Sequence, residues 1–227
     1  MSHPLPTLTD VLRPVRHILL DFDGPLCGIF SDLSAAEVAG RLFQELTEGG
    51  KLPEKWASEA DPLALLRLID GERTDLVAAA DQALARLETE AARLAQPTPG
   101  GEAFLRACVA SGRSVWMVSN NDGGAIRVYL EAHNLNSLVA GVFGRVPGEP
   151  SAMKPDPRLL TDAMDAAAAK PAECVFIGDS VRDVQAGNAV GVGTIGYANK
   201  PGKDVKLQQA GAVVIVRSMQ EITNAMP

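Results

Sequence analysis

The stretch His17-Ile-Leu-Leu-Asp-Phe-Asp-Gly24 carries an apolar run straight into two carboxylates, Asp21 and Asp23, with a glycine directly behind them. The run reads as a buried strand. Two like charges at the end of such a strand lose solvation and raise each other's pKa, so they persist as anions only beside a cation. A strand followed by an ordinary Asp-Gly turn would leave the same letters, and the rest of the chain has to separate a site from a turn.

Three later segments do so. Val115-Trp-Met-Val118 is a second apolar run and ends on Ser119-Asn-Asn-Asp-Gly123. Lys154-Pro-Asp-Pro157 sets a lysine ahead of a helical stretch, and a third apolar run, Cys174-Val-Phe-Ile177, ends on Gly178-Asp-Ser-Val-Arg-Asp183. In order and chemistry the chain resembles the haloacid dehalogenase superfamily, whose motifs are Asp-x-Asp, a strand-end Ser or Thr, a Lys, and Gly-Asp-x-x-x-Asp. The resemblance spans most of the chain. It departs from the family pattern at Pro25, which stands where a threonine is usual and removes a hydroxyl and a backbone N–H, and at Cys27-Gly-Ile29, where an acidic residue is usual.

Composition narrows the function classes. With 227 residues, 46% hydrophobic, the chain can bury a full core and fits one domain plus a smaller insert. A net charge of −7 and the lack of a clustered basic stripe argue against nucleic acid or an anionic membrane as partner and favour a small substrate. Met1-Ser-His-Pro-Leu-Pro6 has no basic region leading into an apolar core, and no apolar segment approaches the ~20 residues of a membrane span, so a cytoplasmic protein is expected. Cys27, Cys108 and Cys174 are odd in number and widely spaced, which suits reduced thiols, the latter two in the core. Nothing in the sequence speaks to oligomeric state.

Between Cys27 and about Gln96 the pattern is helical only. Apolar positions at Ala35, Ala39, Leu42, Phe43 and Leu46 mark one helix over Asp32 to Thr47, and Asp61-Pro62 caps a second that opens on Leu63. Val77, Ala80, Leu84, Leu87, Ala91 and Leu94 mark a long third. Each needs an apolar partner, so the three form a small bundle. From Pro97 onward helix and strand alternate: strands at Val115–Ser119, Val139–Gly144, Cys174–Gly178, Gly193–Gly196 and Ala212–Val216, with helices ending at Gly112 and spanning Gly124–His133, Asp156–Ala169 and Val181–Ala189. Such alternation predicts an α/β fold, a Rossmann-like parallel sheet with helices on both faces, plus a small α-helical cap. The catalytic core is then residues 1–27 and 98–227, and the cap residues 28–97. Gly28 and the Pro97–Gly101 segment are the candidate hinges of a rigid lid. Gly191-Val-Gly-Thr-Ile-Gly196 matches a dinucleotide fingerprint in letters only, because it follows a helix and runs into a strand.

Ligands of open parallel sheets bind at the carboxyl ends of the strands, where Asp21, Ser119 and Asp179 all fall. The resemblance implies a Mg²⁺-dependent phosphatase acting on a small phosphorylated metabolite, with Asp21 as nucleophile forming an aspartyl-phosphate and Asp23 as general acid and base. It implies a Mg²⁺ site from Asp21, the backbone carbonyl of Asp23, and Asp179, with Asp183 behind it through a water. Ser119 and Lys154 hold the phosphoryl oxygens, and Asn120 helps to orient the group or the substrate. Ser180-Val-Arg-Asp183 also fits a capping box, a structural role open to Asp183. A phosphomutase or phosphotransferase with the same site, or a weakly active binding module, remains the alternative. Asp23 and Asp179 count against a dehalogenase, which needs no Mg²⁺ site. The cap charges Arg41, Lys51, Lys55, Arg67 and Arg73 fit a solvated surface as well as a substrate clamp.

Overall fold

A computed structural model describes residues 6–49 and 52–226. The leader reading at residues 1–5 and the charge of Lys51 lie outside them. Six strands form one parallel sheet: β1 (His17–Leu20), β4 (Ser114–Asp122), β5 (Gly141–Arg145), β6 (Cys174–Gly178), β7 (Thr194–Tyr197) and β8 (Val214–Val216), ordered β5-β4-β1-β6-β7-β8. β1 lies at the centre, with Leu20 in register with Met117 on one side and Ile177 on the other. Residues 21, 119 and 179 therefore follow paired positions on three adjacent strands.

Strand alternation divides the buried side chains between two faces. Ile18 and Leu20 share one buried cluster with Val115, Met117, Val175 and Ile177, while Leu19 joins Val118 and Phe176 in another. Helices α5 (Gly101–Ala110), α6 (Gly123–Ala132) and α10 (Met219–Ala225) contribute to the first cluster, and α7 (Arg158–Ala167) and α8 (Val181–Ala189) to the second. The helices cover both faces, as the alternation predicted.

The insert holds α2 (Ala35–Gly49), α3 (Pro62–Glu72) and α4 (Val77–Leu94), which pack on one another. Asp61 caps α3 as read from the sequence, its Oδ1 accepting from Leu63 N at 2.9 Å and Ala64 N at 3.3 Å with Pro62 in the first turn. The insert enters and leaves through a two-stranded antiparallel ribbon, β2 (Cys27–Gly28) paired with β3 (Gln96–Pro97), so the two candidate hinges are hydrogen-bonded to each other. Its apolar face is continuous with the core under the sheet, and α4 packs along α6. The insert is thus less free than a lid on two flexible hinges.

Three short helices escaped the sequence reading: α1 (Leu8–Leu12), α9 (Lys203–Ala210) and α10. Each is too short for a 3.6-residue period to declare itself, although Thr7/Asp10 and Ser218/Glu221 form capping boxes that carry the signal locally. β4 also runs on to Asp122 beyond the expected end at Ser119, with a register shift against β5 between Val118 and Asp122. That irregularity falls on the Ser119–Asn121 segment. All three cysteines are free and buried.

Candidate active site

Six of the sequence-selected residues, Asp21, Asp23, Asn120, Lys154, Asp179 and Asp183, line one cavity of about 250 Å³ at the carboxyl edge of the sheet. Ser119 is buried beside it at 1% exposure, accepting from Asn121 N at 3.4 Å and donating to Asn121 Oδ1 at 3.2 Å. Phe30, Ala35, Asp61 and Leu63 of the insert close the outer wall, with Arg182 from α8.

Lys154, 2% exposed, is the centre of the cluster. Its ammonium lies 3.0 Å from Asp21 Oδ1 and 2.7 Å from Asp183 Oδ1, and donates to Val118 O at 3.0 Å. Burial works against the cation, but Asp183 and Asp21 outweigh it and raise its pKa. The segment bearing Lys154 is tied to the β4 edge by a reciprocal pair: Lys154 N donates to Asn120 Oδ1 at 2.7 Å and Asn120 Nδ2 donates to Lys154 O at 3.1 Å. Asn120 here holds the lysine segment in place while also facing the cavity.

Each carboxylate has a distinct environment. Asp21 is raised above the usual carboxylate range by burial, with Asp183 and Asp179 adding to the shift and Lys154 opposing it. Asp23 is pushed up to about 6, by burial first and Asp179 second, and its Oδ1 accepts from Ile29 N at 3.1 Å. Asp179 is likewise raised by burial, against Lys203 and the Asn199 amide. For Asp183 the cap and the site are not alternatives, because one oxygen serves each. Oδ2 accepts from Asp179 N at 3.1 Å, Ser180 N at 2.9 Å and Ser180 Oγ at 2.7 Å, leaving Oδ1 for Lys154.

Two glycines make this crowding possible. Gly24 has φ +104, and a Cβ there would meet Asp179 Oδ2 at 2.6 Å; at Gly178 one would meet the Asp183 Cβ at 2.5 Å. Pro25 costs the first loop no hydrogen bond, because Gly24 N donates to Cys27 O at 2.7 Å and Cys27 N to Phe22 O at 3.2 Å, while Thr98 Oγ1 donates to Gly24 O at 2.6 Å.

Carboxylate oxygens of Asp21, Asp179 and Asp183 come within 4.8 Å of one another. Hard oxygen donors crowded together, two of them (Asp21 and Asp179) with raised pKa values, are chemically suited to a divalent ion such as Mg²⁺. The sequence reading missed Asn199 and Lys203. Asn199 Nδ2 donates to Asp179 Oδ2 at 3.1 Å, and the Lys203 ammonium pairs with the same oxygen. Both follow β7, whose carboxyl end lies on the same edge, so the topology was the signal that could have found them.

Residues 15–191 match a profile of haloacid dehalogenase-like hydrolases. The chain belongs to that family. Among its curated relatives are phosphoglycolate phosphatases from Pseudomonas putida, 27% identical over 88% of this chain and 76% of the relative, and from Xylella fastidiosa, 30% identical over 78% and 77%. A solved hydrolase of the family from Deinococcus radiodurans, with bound phosphate and sodium, superposes with a TM-score of 0.60 at 25% identity over 92% of this chain and 93% of its own. A haloacid dehalogenase-like protein from Streptococcus pneumoniae shares the fold at TM-score 0.70 and 16% identity, covering 95% of this chain and all of its own. The haloacid dehalogenase-like fold, its helical insert and its hydrolase class thus agree with the reading of the motifs. Among the described residues no helix is long and apolar enough to cross a membrane.

Proposed function

We propose that this hydrolase is a Mg²⁺-dependent, cytoplasmic phosphatase that cleaves a small phosphorylated metabolite through an aspartyl-phosphate on Asp21. Residues 1–27 and 98–227 are the catalytic core and 28–97 the cap. The observation that carries the reading is the Lys154 ammonium, held between Asp21 and Asp183 with Asp179 beside them. Uncatalysed phosphate-monoester hydrolysis is among the slowest reactions known, and its acceleration rests mainly on positioning and charge neutralisation, which such a cluster supplies.

Asp21 attacks phosphorus as the bond to the leaving oxygen breaks, and that oxygen takes the proton of Asp23. Asp23, now anionic, accepts a proton from water as the water attacks phosphorus, which frees phosphate and restores Asp21. A pKa of about 6 suits both halves of the Asp23 cycle near neutral pH. Lys154 and Ser119 hold the phosphoryl oxygens, and Asn120 keeps Lys154 in position. Asp21, the Asp23 carbonyl and Asp179 would hold Mg²⁺, with Asp183 behind them; when bound, the ion neutralises phosphoryl charge.

The cavity of about 250 Å³ suits a small metabolite, and the named activity of the curated relatives makes 2-phosphoglycolate the first compound to try. Phosphate release from an aryl phosphate and a metabolite panel, with Mg²⁺ and with chelator, tests the proposal. Release that depends on Mg²⁺ supports it. A bisphosphate intermediate would mean a mutase, and no turnover of any substrate would leave a binding module.

A further inference from the structure

The insert and the core share a second buried ionic cluster, placed directly under the segment that carries Ser119. Arg145, the last residue of β5, is 4% exposed. Its Nε donates to Asp81 Oδ1 at 2.6 Å, its Nη1 donates to Glu88 Oε1 at 3.1 Å, and its Nη2 lies 2.9 Å from Glu88 Oε2. Asp81 and Glu88 belong to α4 of the insert, seven residues apart and on one helix face. Burial opposes the Arg145 cation, but Glu88 and Asp81 prevail and hold its pKa above the ordinary value.

Three consecutive residues of the Ser119 segment are fastened to this cluster. Arg145 Nη1 donates to Asn120 O at 3.0 Å, Asn121 Nδ2 donates to Glu88 Oε1 at 2.9 Å, and Asp122 N donates to Glu88 Oε2 at 3.0 Å. The chemistry of Glu88 then fixes the next link. An ionised carboxylate only accepts, so it turns the Asn121 amide nitrogen toward itself and leaves Asn121 Oδ1 facing the Ser119 hydroxyl. Glu88 is 0% exposed, and all its oxygens are engaged. With every carboxylate oxygen of Asp81 and Glu88 met by a donor, a buried network of this kind holds its members in one arrangement.

We propose that Glu88 and Arg145 are positioning residues for the phosphoryl-binding segment Ser119–Asn121, and that α4 is therefore part of the catalytic frame rather than of a moving lid. The inference rests on the phosphatase reading of the cavity. It departs from the expectation of a rigid three-helix lid: α2 and α3 open over the cavity, and α4 stays with the sheet. Removing the Glu88 charge frees the Asn121 amide to rotate, which misaims the Ser119 hydroxyl without touching Asp179 or its neighbours.

Glu88→Gln tests the first half. It is expected to lower kcat at least about tenfold and to weaken competitive inhibition by inorganic phosphate in proportion, while the Mg²⁺ concentration for half-maximal rate stays at the wild-type value. Wild-type kcat and phosphate inhibition in a folded Glu88→Gln protein would overturn it. So would equal losses in phosphate and Mg²⁺ binding, which mark general structural damage. An inactive wild type would instead remove the phosphatase reading. Amide hydrogen exchange on the unmutated protein tests the second half and needs no variant to fold. Amides of α4 should be as protected as those of α6 and unchanged by Mg²⁺ with fluoroberyllate, whereas α2 and α3 slow down; α4 slowing together with them would show that it travels with a lid.

Discussion

Two buried clusters in this protein share one plan, a cation held between two carboxylates, and differ in everything that follows from it. Arg145 lies between Asp81 and Glu88, and the carboxylate oxygens there are met by N–H donors, including Gly148 N on Asp81 Oδ2 at 2.9 Å and Asp122 N on Glu88. Lys154 lies between Asp21 and Asp183, yet Asp23 and Asp179 crowd the same volume and Asp21, Asp23 and Asp179 are all raised. The first cluster has every carboxylate oxygen met by an N–H donor and binds the insert to the core. The second carries an unmet negative charge, and that deficit is what a divalent ion and a transferring phosphoryl group would exploit. A planar five-donor guanidinium suits the first, and a compact ammonium on a flexible stem suits the second.

The largest expected contrast comes from neutralising one carboxylate in each. Asp21→Asn is expected to abolish phosphate release yet raise the unfolding midpoint of the metal-free protein, because it removes a carboxylate that burial disfavours. Near-normal turnover would remove Asp21 as nucleophile, and a lowered midpoint would show that its charge stabilises the fold. Glu88→Ala should do the opposite to stability, costing about 3–5 kcal/mol because Arg145 loses a buried partner. Denaturant titration checks this, and a loss below about 1 kcal/mol would mean that water replaces the carboxylate.

Without metal, stability should depend on pH through the Lys154 cluster. An aspartate whose folded pKa exceeds its unfolded value binds its proton more tightly in the folded state, so stability falls as pH rises between the two values. For Asp23 the window runs from 3.8 to about 6, on the order of 3 kcal/mol at ~1.4 kcal/mol per unit. Asp21 and Asp179, raised as well, extend the fall upward. Melts in chelator at several pH values should show the decline, and Mg²⁺ should flatten it. Metal-free stability that climbs through this window would contradict the strained reading of the cluster. The smallest effect belongs to Asp179→Asn, which is expected to raise the Mg²⁺ concentration needed for half-maximal rate while leaving the Arg145 cluster and the melting profile of α4 unchanged. An unaltered Mg²⁺ titration would make Asp179 structural.

Much of the Lys154 cluster was legible because its signals are local. An apolar run that breaks onto Asp21, Ser119 or Asp179 shows a strand end within a few residues, and Asp61-Pro62 or Ser180/Asp183 shows a helix start in the same way. Asp183 was legible as a cap but not as the direct partner of Lys154, since the lysine comes from another segment. Asn199 and Lys203 were hidden for a related reason: nothing in their own neighbourhood distinguishes them from a solvated turn until β7 is placed beside β6.

Asp81 and Glu88 left a faint trace, two acids seven residues apart within the apolar stripe of Ala80, Leu84, Leu87 and Ala91, where charges should not be buried. Their meaning required Arg145, 57 residues beyond Glu88 in the chain. By itself the sequence determined the parallel sheet, its helical insert and the carboxylates at the strand ends, because periodicity, capping and strand termination act over a few residues. Only the tertiary structure decided which charges face one another, and so which cluster has its carboxylates met by N–H donors and which is left crowded with them. Ion pairing depends on distances of a few ångströms between segments that the chain order keeps far apart.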